Sequence, residues 1–137
     1  MTTMLMPSVS KYMSTQPWTI ECDASIHEAS ELMRKHQIRH LPVLEDGRLV
    51  GVVSERDLQL LDAADGPRAR TVHVNEAMTE RPCIVTGDTS LDEVATIMSE
   101  HKYGSVIVVG RNGVEGIFTS VDACRVLADV LQQHRLD

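Results

Sequence analysis

A mixed α/β (α+β) fold, built as two β-α-β-β-α repeats packed through their sheets with pseudo-two-fold symmetry, is what this 137-residue chain predicts. Three observations predict it. The stretch Gly51-Val52-Val53-Ser54-Glu55-Arg56-Asp57 returns 65 positions later as Gly116-Ile117-Phe118-Thr119-Ser120-Val121-Asp122. The same offset aligns Val9 through Leu61 with the second half without a gap, pairing Val9 with Val74, Met13 with Met78, Pro17 with Pro82, Met33 with Met98 and His36 with His101. Finally, Asp46-Gly47 and Asn112-Gly113 stand between short apolar runs, the strongest local signal for a hairpin. A repeat of about 50 residues buries too little apolar surface to stand alone, so the two copies are expected to share a core.

Each copy opens with a short helical turn ending at methionine (Tyr12-Met13, Ala77-Met78) and stopped by Pro17 or Pro82. Extended residues follow, Trp18-Thr19-Ile20 and Cys83-Ile84-Val85. Ser25 with Glu28, and Ser90 with Glu93, read as capping boxes. The helices they begin carry apolar faces at helical spacing: Ile26, Ala29 and Met33 in one, Leu91, Val94, Ala95 and Met98 in the other. Two strands come next in each copy, Leu41 to Leu44 and Leu49 to Val53, then Ser105 to Val109 and Val114 to Phe118. A closing helix runs from about Glu55 to Leu61 and from about Ser120 to Gln133. The expected division is a tail over residues 1–8, repeats over 9–61 and 74–133, a polar linker over 62–73 containing Asp65-Gly66-Pro67, and a tail over 134–137.

The bulk numbers narrow the function. Aromatic residues make up only 3%, so aliphatic side chains must fill the core, and the net charge is -7. That balance argues against nucleic acid or an anionic membrane as a partner, and it means any anionic ligand needs a local positive cluster. Arg39, His40, Arg48 and Arg56 supply one in the first copy. No apolar run reaches the roughly 20 residues that span a bilayer, and the first residues do not read as a signal peptide. Cys22, Cys83 and Cys124 are odd in number and scattered, without zinc-finger spacing, which is the usage of a reducing, cytoplasmic compartment.

The doubled motif carries the chemistry. Its glycine closes a turn, its apolar residues make a strand, and the hydroxyl residue leads into a helix whose free N–H groups and dipole suit an anion. Asp57 or Asp122 is then placed to accept from the two hydroxyls of a ribose. The competing reading is plain helix capping by Ser54 with Asp57 and Thr119 with Asp122. His36 and His101 read as partners of a helix C-terminus rather than metal ligands, and Asp23 and Asp88 as turn residues. No cysteine is paired with a base, and there is no Walker-type loop, HExxH or GxSxG, so neither catalysis nor a metal is expected.

With Ile38-Arg39-His40-Leu41-Pro42-Val43 and the two elbow motifs in register within a tandem duplication, the chain resembles a pair of cystathionine-β-synthase (CBS) domains, a Bateman module, over about Val9 to Leu131. The resemblance implies an adenosine-containing ligand (AMP, ADP, ATP or S-adenosylmethionine) between the copies, no required cofactor, and a disc-like homodimer. It implies one site with Thr119 and Asp122 at phosphate and ribose, Ile117 on the strand between, Gly104 and Ser105 by the base, Ile20 and Thr19 from the other copy, and Arg39 or His40 toward phosphate. The other site would use Ser54 and Asp57, with His40 nearby and Ile84 from the second copy. Arg39 stands where the family often has glycine and Gly104 keeps it, so the Asp122 site is expected to be the better pocket.

The expectation is therefore a stand-alone regulatory module that senses an adenosyl compound and passes the signal to a separate protein. The alternative is a ligand-free dimerisation or protein-interaction module, in which the aspartates could be changed without effect on association. A redox or metal-responsive protein using the scattered Cys and His is a third class, which a metal assay separates.

Overall fold

The computed structural model describes residues 6–65 and 71–134, and the chain divides into two compact units. One is continuous, Pro17–Pro82. The other is split, joining Met1–Gln16 to Cys83–Asp137.

In the continuous unit, β2 (Ile20–Glu21) runs parallel to β3 (His40–Glu45), which pairs antiparallel with β4 (Arg48–Ser54). Between β2 and β3 lies α1 (Ile26–His36), whose i, i+3, i+7 spacing turns Ile26, Ala29 and Met33 inward, all buried as expected. Gln37 ends it in the left-handed conformation (φ 53°), and Arg34, Lys35 and His36 face the negative end of the dipole. The β3–β4 turn has positive φ at both Asp46 (51°) and Gly47 (81°), the type I′ geometry that suits the twist of a two-residue hairpin. Helix α2 (Glu55–Asp65) follows without a break. It runs past the expected Leu61, because nothing in residues 62–65 interrupts it. Residues 66–70 of the expected linker, with the Gly66-Pro67 turn, lie outside the described residues, as do residues 1–5 and 135–137 of the tails. Past that gap, α3 (Val74–Ala77) returns to this unit, and Val74 joins the core of Ile20, Ile26, Ala29, Met33, Leu41, Val43, Val53 and Leu58.

The split unit repeats the plan. β5 (Ile84–Thr86) lies parallel to β6 (Ser105–Gly110), which pairs with β7 (Gly113–Thr119), and β1 (Ser14–Thr15) adds to the free edge of β7. Helix α4 (Leu91–His101) buries Leu91, Val94 and Met98 but leaves Ala95 exposed, so the apolar face is narrower than its spacing suggested. Its core is Val9, Leu91, Val94, Met98, Val106, Val108 and Phe118, and α5 (Ser120–Gln133) closes the unit. Here the hairpin turn differs. Arg111 and Asn112 keep negative φ and Gly113 (φ 102°) takes the left-handed place, the type I turn with a glycine bulge. Both hairpins shift register at matching positions, Val43/Leu44 and Val108/Val109.

The leading segments are exchanged relative to the sequence repeats. Val9 donates to Thr89 O (2.8 Å) and Leu91 to Pro7 O (2.8 Å), while Val74 donates to Ala24 O (2.8 Å) and Ile26 to Val72 O (3.0 Å). The same 65-residue offset relates each of these bonds to its twin. Thr79 and Val52 exchange two backbone bonds (3.1 and 2.8 Å), matching the pairing of Ser14 with Ile117. Residues 9–16 thus complete the unit made mostly of the second repeat, and residues 74–82 complete the other.

Candidate functional site

The two elbows, where β4 runs into α2 and β7 into α5, are built alike. Ser54 N–H donates to Asp57 Oδ2 (2.9 Å) and Asp57 N–H donates to Ser54 Oγ (3.1 Å). Thr119 N–H donates to Asp122 Oδ2 (2.9 Å), and Asp122 N–H donates to Thr119 Oγ1 (3.3 Å). These are full reciprocal caps, formed by the short carboxylate because the strand delivers the N-cap residue close above N3. The first helical amide is taken as well: Glu55 donates to Arg39 O (2.8 Å) and Ser120 to Gly104 O (3.0 Å). The elbows therefore do not present the row of free amides that the sequence suggested. The first amide of each helix is held by a carbonyl and the third by the cap.

The serine–glutamate pairs behave the other way round. Ser25 Oγ accepts from Glu28 N–H (3.1 Å), but Ser90 makes no side-chain cap. The opening amides Ile26 and Leu91 instead donate to carbonyls of the exchanged segments, which serve these helix starts from outside. The motif glycine does not close a turn either. Gly51 and Gly116 lie in mid-strand, and a Cβ on Gly51 would stand 2.6 Å from Thr79 O and 2.7 Å from Met78 Sδ. On Gly116 it would meet the Met13 side chain. Each glycine is there to admit the methionine of an exchanged segment.

Beside Ser54, its register partner His40 opens β3, and beside Thr119 its register partner Ser105 opens β6. Asp122 and Ser105 are buried, Asp57 and His40 partly so, while Arg39 and Gly104 are exposed. Burial holds the His40 imidazole below its ordinary value of 6.5; Asp57 pulls it up and Arg39 pushes it further down. The continuous unit thus gathers Thr19, Ile20, Arg39, His40, Ser54 and Asp57, and the split unit gathers Ile84, Gly104, Ser105, Ile117, Thr119 and Asp122. Ile20 is 9% exposed and Ile84, which the repeat matches to Thr19 rather than to Ile20, is 49% exposed. Arg48 leaves the expected cationic cluster: it pairs with Glu45 at the hairpin end of β4, six residues from Ser54, or about 20 Å at ~3.3 Å per residue.

One residue was missed. Arg125, one turn beyond Asp122, places Nη1 3.3 Å from Asp122 Oδ1. The i,i+3 spacing of opposite charges on a helix was the signal that could have found it. Cys22, Cys83 and Cys124 are free; partial burial pushes the Cys83 thiol up, and burial with the carboxylates of Glu45, Asp23 and Glu21 does the same to Cys22. No group of three metal-binding side chains occurs among the described residues, and no helix among them is long and apolar enough to cross a membrane.

A family model, CBS domain, matches residues 9–61 and 74–129. The CBS domain-containing protein YhcV of Bacillus subtilis is 32% identical over 112 residues, 82% of this chain and 79% of that one. Several other curated relatives are longer proteins of which the chain spans 23%. Among solved structures, the CBS domain pair of protein MJ0100, in complex with 5′-methylthioadenosine and S-adenosyl-L-methionine, superimposes with a TM-score of 0.81 at 31% identity, covering 91% of this chain and 98% of that one. CBSX2 in complex with AMP gives 0.77 at 28% identity, covering 90% and 98%.

Proposed function

The chain belongs to the CBS-domain family, and on that premise we propose that it is a regulatory, non-catalytic module that binds an adenosine-containing ligand at its strand-to-helix elbows. The observation that carries this reading is the doubled elbow, in which a hydroxyl residue and an aspartate are locked together by the same bonds in both units. The carboxylates are thereby pre-oriented, and a ligand meets a fixed acceptor rather than a rotating one. Asp57 spends Oδ2 on the cap and keeps Oδ1 for a ribose hydroxyl. Support for adenosine comes from MJ0100 and CBSX2, whose structures hold 5′-methylthioadenosine, S-adenosylmethionine and AMP.

In this reading Asp57 and Asp122 take ribose, Ser54 and Thr119 face phosphate, and Gly104, Ser105 and His40 lie by the base. Ile20, Thr19, Ile84 and Ile117 supply apolar cover. A half-buried, neutral His40 meets a ligand as a hydrogen-bonding group, which leaves Arg39 as the phosphate cation. The module acts in the cytoplasm as a homodimer and signals to a separate protein. Support for self-association comes from the apolar stripe of Leu127, Val130 and Leu131 on α5, at i, i+3 and i+4 and 56%, 42% and 60% exposed.

Isothermal titration of the full chain with AMP, ADP, ATP and S-adenosylmethionine tests the reading, with Asp57→Asn and Asp122→Asn beside it. Asparagine keeps a cap acceptor and removes the charge, so binding should fall by about tenfold at the altered elbow while the fold persists. Absence of binding by any of the four at millimolar concentration would leave the ligand-free interaction module, for which the caps alone explain the motif.

A further inference from the structure

The doubled elbow is not doubled in its charges. In the split unit, Asp122 Oδ2 accepts from both Thr119 N–H (2.9 Å) and Thr119 Oγ1 (3.1 Å), and Oδ1 accepts from Arg125 Nη1 (3.3 Å). The arginine side chain is 75% exposed, that of Asp122 only 9%. At the matching place on α2 stands Leu60, and among the described residues no donor is bonded to Asp57 Oδ1. The cations differ too. Arg39 and Arg56 flank the Asp57 elbow, whereas their counterparts at the Asp122 elbow are Gly104 and Val121. One elbow has two arginines beside a free carboxylate oxygen. The other has a single arginine, and it is bound to the carboxylate.

We propose that Arg125 is a specificity-determining residue of the Asp122 elbow, making it favour adenosine with a 5′ phosphate over uncharged adenosine and over S-adenosylmethionine. This rests on the adenosine reading above. Asp122 has one acceptor position left, so a ribose that donates both of its hydroxyls there must take Oδ1 from the guanidinium. A phosphate on the same ligand offers the displaced arginine a new anion, in the forked geometry it binds best. Uncharged adenosine offers none, and S-adenosylmethionine puts a sulfonium at the 5′ position, its only anion being a carboxylate at the far end of the methionine arm beside an ammonium. The exchange is cheap, because an exposed ion pair is weak and Arg125 is free to swing. At the Asp57 elbow the apolar Leu60 makes no such demand, and its ribose oxygen is open to all three ligands. The sequence favoured the Asp122 elbow as the better pocket; on charge it is the more selective one.

The test is calorimetric titration of the full chain with AMP, adenosine and S-adenosylmethionine. Asp57→Ala leaves only the Asp122 elbow to read, and Arg125→Leu and Arg125→Lys are added to it. The expected result is that leucine lowers the preference for AMP over adenosine roughly tenfold, partly by tightening adenosine, while lysine keeps most of it. High salt should shrink the preference in the arginine and lysine chains but not in the leucine chain. Should Asp57→Ala not fold, Arg125→Leu with Asp57 intact gives the same reading from its weaker binding step. An AMP-to-adenosine ratio unchanged by leucine overturns the role of Arg125 and leaves the adenosine reading intact. So does AMP binding that vanishes entirely in a folded Asp57→Ala chain. If the unaltered chain binds none of the three, the adenosine reading fails and takes this proposal with it.

Discussion

His40 sits where three influences meet: its own burial, the Asp57 carboxylate and the Arg39 guanidinium. Burial dominates, so the folded chain holds this imidazole below 6.5 while the unfolded chain does not. The unfolded state then binds the proton more readily as pH drops. The stability that His40 contributes is full above 6.5 and is lost as pH falls from there toward its folded value. Urea midpoints measured between pH 7.5 and 5.5 should decline more steeply in the wild type than in His40→Gln. Parallel declines would show that the imidazole is not desolvated.

At the scale of elements, β4 and β7 show what a glycine is for. Gly51→Ala drives a methyl group onto Thr79 O, a backbone atom held by the paired bonds to Val52. Neither side can yield without giving up that bridge. At Gly116→Ala the nearest atoms all belong to the Met13 side chain, whose flexible thioether can turn aside. Urea denaturation should therefore show Gly51→Ala costing roughly 1–3 kcal/mol, the range of an overpacked core site, and Gly116→Ala less. Equal costs would mean that side-chain crowding alone sets the penalty. Much at this level was legible beforehand. Ile26, Ala29 and Met33 have one face to bury, and Asp46-Gly47 has one turn that suits it. The partner of a strand edge is another matter. Periodicity says which side of Val52 or Ile117 is apolar, but not which distant segment lies along its edge, so the glycines read as turns and the serine–glutamate pairs as caps. The Asp122–Arg125 pair was missed for a different reason, since an i,i+3 pair on a helix usually means no more than a solvated face.

For the whole molecule, the 65-residue repeat and the compact units are cut at different places. The sequence repeats begin at Val9 and Val74, whereas the units change over at Gln16/Pro17 and Pro82/Cys83. A fragment over residues 17–82 keeps Val74, Met78 and Thr79 with the core they complete; a fragment over 9–61 loses them and carries an idle leader. By circular dichroism and urea melts, 17–82 should be the more helical of the two and the only one with a cooperative transition. The reverse order would mean that the leaders contribute little. Connectivity also orders the folding, since the continuous unit closes with contacts inside 66 residues (Pro17–Pro82), while the split unit must bring Val9 to Thr89 across the whole of it. A solitary ancestor with one leader and one body, obeying the same pairing, would have had to lend its leader to a twin and borrow one back. In this chain the same reciprocal loan runs between two repeats of one molecule, and neither repeat can be shed without unravelling the unit left behind.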